Sequence, residues 1–106
     1  MKYYSVAEID VTDYAWVKAY VSDVTKLVER FGGRYLARTS SFEKIEGERK
    51  PPQIFLIIEW PSRDAAIEFY ESDEYRPYLH SRFEGANTEM YLVAGEDINK
   101  AAQGLA

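Results

Sequence analysis

The run Ile54-Phe55-Leu56-Ile57-Ile58 puts apolar side chains on both sides of any strand it forms. Successive strand residues point to opposite faces, and a sheet with one wet face should alternate apolar and polar residues. Here Ile54, Leu56 and Ile58 take one face while Phe55 and Ile57 take the other, so neither is polar. Two more segments repeat the pattern: Met90 and Leu92 oppose Tyr91 and Val93, and Tyr4 and Val6 oppose Tyr3, Ala7 and Ile9. A chain of 106 residues makes one domain, with helices enough to cover one sheet face. A second apolar face needs another cover, and an exposed patch of that size is an association surface. The sequence therefore predicts a homodimer whose two sheets pack face to face around a barrel-like interior, burying about 800 Å² per chain.

The remaining elements follow from periodicity and punctuation. Tyr3 to Ile9 reads as a first strand, aromatic and β-branched. Thr12 or Asp13 is positioned to cap the helix that follows. Val17, Tyr20, Val21, Val24, Leu27, Val28 and Phe31 then recur every three or four residues, an apolar helical stripe ended by Gly32-Gly33. Arg34–Thr39 is the second strand, with an irregular extension toward Ile45; Glu46 to Pro52 is a polar turn; Gln53 to Trp60 is the third strand. Ser62 caps a helix from Arg63 to Tyr70 or Glu71. Ser72-Asp73 starts a shorter helical piece over Glu74–Phe83, kinked or delayed by Pro77. Glu89–Ala94 is the fourth strand. The order β-α-β-β-α-β is ferredoxin-like: an α+β fold with a four-stranded antiparallel sheet and two helices on one face. Right-handed crossovers set the first and third strands at its centre, the fourth beside the first and the second beside the third. The domain spans 1–95, and 96–106 reads as a flexible tail.

Several function classes are excluded. Without cysteine there is no disulfide framework, thiolate metal site or cysteine nucleophile, and the single His80 cannot build a His-rich metal centre. A formal charge of −5 with scattered Lys and Arg disfavours a nucleic-acid surface. No stretch approaches the roughly 20 apolar residues that span a bilayer, and the first residues carry no signal-peptide core. The expected location is the cytoplasm, by default, with no membrane partner.

Four segments in order carry a family likeness: Phe31-Gly32-Gly33-Arg34-Tyr35-Leu36-Ala37-Arg38, then Ile45-Glu46-Gly47, then Ile57-Ile58-Glu59-Trp60-Pro61-Ser62, then Phe69-Tyr70-Glu71-Ser72-Asp73-Glu74-Tyr75 with Arg82 downstream. Together, over about Tyr3 to Gly95, the chain resembles the domain of unknown function 1330 family (DUF1330). That resemblance implies a dimeric α+β barrel, a superfamily that includes cofactor-independent monooxygenases, haem-handling enzymes, muconolactone isomerase-like proteins and ligand-binding regulatory domains. It implies no particular activity. Trp60 stands where Phe is commoner, Phe69 where Trp often precedes Tyr, and Pro77 and His80 are departures from the pattern.

Candidate site residues come from charges set in apolar strands. Arg38, Glu59 and Glu8 would be neighbours on the expected strand order, and on a shared helix-free face they would converge on the barrel interior. There Arg38 would bind a small acid bidentately and Glu59 would act as a general base; the bland alternative is an Arg38–Glu59 cross-strand pair. Tyr70, Ser72 and Tyr75 are candidates at a pocket mouth, against aromatic packing for the tyrosines and a helix cap for Ser72. His80 is a candidate proton carrier or a surface residue, and Arg82 is a candidate for the pocket. The leading expectation is a homodimer that binds a small organic or aromatic acid in an interior pocket, with no cofactor or metal. A cofactor-independent monooxygenase or isomerase using Glu59 or His80 is the second, and a structural module with a filled interior the third.

Overall fold

In the computed structural model, which describes residues 1–99, β1 (Tyr3–Val11), β2 (Arg34–Thr39), β3 (Ile54–Trp60) and β4 (Ala86–Ala94) form one antiparallel sheet in the order β2-β3-β1-β4. This is the ferredoxin-like arrangement expected from the element order. Three helices rather than two accompany it: α1 (Val17–Arg30), α2 (Arg63–Glu71) and α3 (Arg76–Gly85). The split between α2 and α3 follows from local chemistry. Ser72 leaves helical backbone, its hydroxyl donates to the Phe69 carbonyl and accepts from the Tyr75 amide, and Pro77 lies in the first turn of α3, where a missing N–H costs nothing. Ser62 caps α2 as expected, accepting from the Ala65 amide. Neither Thr12 nor Asp13 caps α1: Asp13 instead accepts from Ala15 in a tight turn, and the helix begins at Val17 without a side-chain cap. Gly32 closes α1 in the left-handed region at φ 93°.

Cross-strand register assigns the faces. Leu56 stands opposite Ala7, Ile58 opposite Ser5 and Leu92 opposite Ser5 on β1's other side. These residues face the helices, where Ile58 and Trp60 join Val24, Leu27, Val28, Ala66, Phe69 and Tyr75 in the core. The other face presents Tyr4, Val6, Phe55, Ile57, Tyr91 and Val93; Tyr91 is 61% exposed. No helix covers it. The loop 40–53 lies across one end instead: the Phe42 ring sets its edge on Phe55 at 4.6 Å, Arg49 pairs with Glu8 at 3.0 Å, and Lys44 bonds the Arg49 carbonyl. The expected irregular extension of β2 toward Ile45 is this loop.

An irregularity in β2 matters for the site. Tyr35 pairs with Ile58 but Ala37 pairs with Ile57, so Leu36 is an extra residue in the ladder. The bulge reverses the alternation beyond it. Arg34 shares a face with Glu59, whereas Arg38, opposite Leu56, faces the helices. Among the described residues no helix is long and apolar enough to cross a membrane. Of the tail expected over 96–106, residues 100–106 lie outside the described residues.

Candidate functional site

The interior is not filled. A cavity of about 340 Å³ lies between the helix-facing side of the sheet and the helices. Its walls are chiefly aliphatic and aromatic, from Val24 of α1, Leu56 of β3, Phe69 of α2 and Leu92 of β4. Two arginines, Arg38 and Arg82, line it, and no aspartate or glutamate does.

Arg82 defines the inner end. It is 3% exposed on α3, and among the described residues no carboxylate pairs with it. Its Nη2 donates to the Tyr75 hydroxyl over a long 3.4 Å, and its Nε–H has no partner. Tyr75, 1% exposed, shares a 2.6 Å hydrogen bond with the Tyr20 hydroxyl from α1. Burial, reinforced by the neighbouring Tyr75, pushes the Tyr20 pKa well up, so Tyr20 stays a neutral phenol near pH 7. Burial works against the Arg82 charge, but the two phenol oxygens outweigh it and its pKa is raised. A buried guanidinium with an unused N–H is costly to leave unmet and is the natural partner of a carboxylate or other planar anion. Trp16 supplies another wall, held edge-on to Tyr20 at 5.1 Å and bonded through Nε1 to the Gly85 carbonyl.

Arg38 and the exposed Val21 mark where the cavity meets solvent. The Arg38 guanidinium lies 3.8 Å from the Tyr35 ring centre and donates to the Thr25 hydroxyl at 2.5 Å. It has no carboxylate partner among the described residues. The Arg38–Glu59 pair does not form, and Glu8, Arg38 and Glu59 do not converge. Glu8 and Glu59 share the helix-free face, and the bulge at Leu36 turns Arg38 to the opposite one. Glu59 is bonded to Lys2 at 3.0 Å and Arg34 at 3.3 Å; the Lys2 hydrogen bond leads in lowering its pKa. A carboxylate so held is a poor base, and it does not line the cavity.

Tyr70 and Tyr75 both line the cavity, Tyr70 being partly exposed on α2 with its ring 6.0 Å from that of Tyr75. Ser72 does not; it joins α2 to α3 as described. His80 is exposed on α3, 3.0 Å from Glu84 one turn on. Tyr20 and Trp16 are cavity residues that the sequence did not single out. The available signal was a hydroxyl-bearing Tyr20 within a stripe otherwise free of polar atoms, which implies a buried polar atom needing a partner.

Fold and cavity together define an α+β protein of ferredoxin-like topology with an apolar interior whose inner end is basic and braced by tyrosines. The chain belongs to the family described as Domain of unknown function (DUF1330), whose model matches residues 2–96. No curated protein matches it. Among solved structures, it is similar to the RPA0582 protein of unknown function from Rhodopseudomonas palustris, with 16% identity over 91% of this chain and 83% of that one, and a TM-score of 0.75. It is also similar to SnoaB, a cofactor-independent oxygenase from Streptomyces nogalater, with 15% identity over 91% of this chain and 94% of that one, and a TM-score of 0.62. At such identities the likeness is one of fold.

Proposed function

We propose that the cavity binds a small organic acid with an apolar, largely aromatic body, its acidic group against Arg82 and the Tyr20–Tyr75 hydroxyl pair. The observation that carries this reading is the buried Arg82, which has no carboxylate partner among the described residues and an unbonded Nε–H. The anchor differs from the Arg38 expected from the sequence. Calorimetric titration with benzoate and phenylacetate tests it. A charge-assisted hydrogen bond contributes about 1.5–3 kcal/mol, so Arg82→Gln should weaken binding by roughly 10- to 150-fold. Unchanged affinity would remove Arg82 from the site.

The protein acts as a homodimer in this reading, through the helix-free face. Its support is the apolar row of Tyr4, Val6, Ile57, Tyr91 and Val93, which no helix among the described residues covers. Ile57→Lys puts a charge at the centre of that row and should yield a folded monomer or an unfolded chain on sedimentation. A stable dimer in that variant, or a wild-type monomer at micromolar concentration, would refute the assembly.

A cofactor-independent oxygenase is the second reading. It is favoured by the fold shared with SnoaB and by cations able to hold a substrate anion while dioxygen reacts with it. It stands second because Glu59 and His80, the bases it called for, lie away from the cavity. Oxygen uptake on a panel of phenols would raise it to first.

A further inference from the structure

We propose that the ligand is a dianion: an organic acid whose apolar body separates two anionic groups, one held by Arg82 and the other by Arg38. This rests on the reading that the cavity binds an acid, and narrows the class. The chain carries 18 acidic against 13 basic residues, yet the cavity lining has two arginines and no carboxylate. Elsewhere Arg30, Arg34, Arg49 and Arg76 each pair with a carboxylate; the two arginines of the cavity have none among the described residues. They are also carried on elements at opposite edges of the sheet. Arg38 stands on the edge strand β2, while α3, which bears Arg82, runs directly into the other edge strand, β4. Aliphatic side chains such as Val24 and Leu56 line the cavity with them. A monoanion with an apolar tail would satisfy one guanidinium and leave the other facing the tail.

Arg38 is also pre-set for the role. Its guanidinium carbon lies 3.8 Å from the Tyr35 ring centre and one N–H is spent on Thr25, which restrains the fork while leaving most of its five donors free. Ordering it in advance lowers the cost of binding. Because Arg38 is exposed and Arg82 buried, their contributions should differ in salt dependence: screening acts on the first and much less on the second.

Titration calorimetry with benzoate, terephthalate, 1,4-phenylenediacetate and azelate, at low and at 0.5 M salt (about a 4 Å screening length), tests this. The expected result is that at least one diacid binds at least tenfold tighter than benzoate. Arg38→Gln and high salt should each bring the ratio of diacid to benzoate affinity toward one, and Arg82→Gln should weaken both classes at either salt. Arg82→Met serves if the glutamine variant does not fold. Equal affinity for mono- and diacids, or a diacid preference that survives Arg38→Gln, would overturn the two-anion assignment and leave the acid-binding cavity standing. Binding of neither class would overturn both.

Discussion

Arg82→Met separates a ligand seat from a structural strut. Arg82 is 3% exposed, without a carboxylate partner among the described residues, and its Nε–H is unbonded; its hydrogen bond to Tyr75 is 3.4 Å long, and the Tyr20 hydroxyl is its other polar neighbour. Against those phenol contacts stand the orphaned N–H, at about 1–3 kcal/mol, and the burial that works against the guanidinium charge. Methionine replaces the aliphatic stem with a flexible apolar chain of similar reach. Tyr20 and Tyr75 keep their mutual hydrogen bond at 2.6 Å. The free protein should therefore become more stable by about 1–4 kcal/mol, in line with other replacements of buried ions by apolar residues. For a domain of this size the melting temperature should rise by at least about 4 °C. Urea and thermal melts at fixed protein concentration read this directly, and the same variant should lose affinity for organic acids. A loss of 1 kcal/mol or more on substitution would refute the reasoning, because Arg82 would then be holding the tyrosines in place rather than waiting for an anion.

Two further outcomes follow from the same region. A Cβ added at Gly85 would lie 2.0 Å from the Trp16 indole nitrogen, so Gly85→Ala must drive the indole off the cavity wall; overpacking and the lost hydrogen bond, less the helix gain, should cost about 1–3 kcal/mol, and an unchanged melting temperature would show that Trp16 does not pack there. At high pH, Tyr20 and Tyr35, both raised mainly by burial, should ionise after the exposed phenols. Phenols ionise near pH 10 once unfolded, so their contribution to stability is intact below about pH 10 and is lost as pH climbs through the raised folded-state values. Absorbance titration of Tyr20→Phe should show one fewer late phenol among the nine tyrosines. All nine ionising together in the native protein would contradict the buried pair.

The sheet order and the long helix were legible because their signals are local and redundant: a seven-residue apolar stripe closed by Gly32-Gly33, and the β3 run closed by Pro61-Ser62. The beginning of β4 was not. Ala86-Asn87-Thr88 has turn chemistry, and it becomes strand because it pairs with Val11, Asp10 and Ile9, a partner far away in sequence. The cavity was half legible. Arg82 and Tyr75 were visible as candidates, but Tyr20 was indistinguishable from core, and the facing of Arg38 depended on a ladder irregularity that strict alternation cannot reveal. Glu59 misled for a related reason: a carboxylate inside an apolar strand looks reserved for chemistry until its partners, Lys2 and Arg34, are brought alongside by the fold.

Leu36 therefore has an influence out of proportion to its own contacts. It behaves as a phase shift: upstream of it β2 follows one parity, downstream the opposite. Arg38 is delivered to the inner cleft by that shift, and Thr39 is sent the other way, toward the side on which Phe42 meets Phe55. Were Leu36 paired as an ordinary rung opposite Ile57, Arg38 would stand opposite Phe55 and Thr39 opposite Ile54, exchanging these destinations and stripping the cavity of its outer cation. Deleting Leu36 would instead leave Ala37 opposite Ile57 and Arg38 opposite Leu56 in an unbroken ladder, so the facing of Arg38 is set by the bulging of one residue and not by the residue count beyond it.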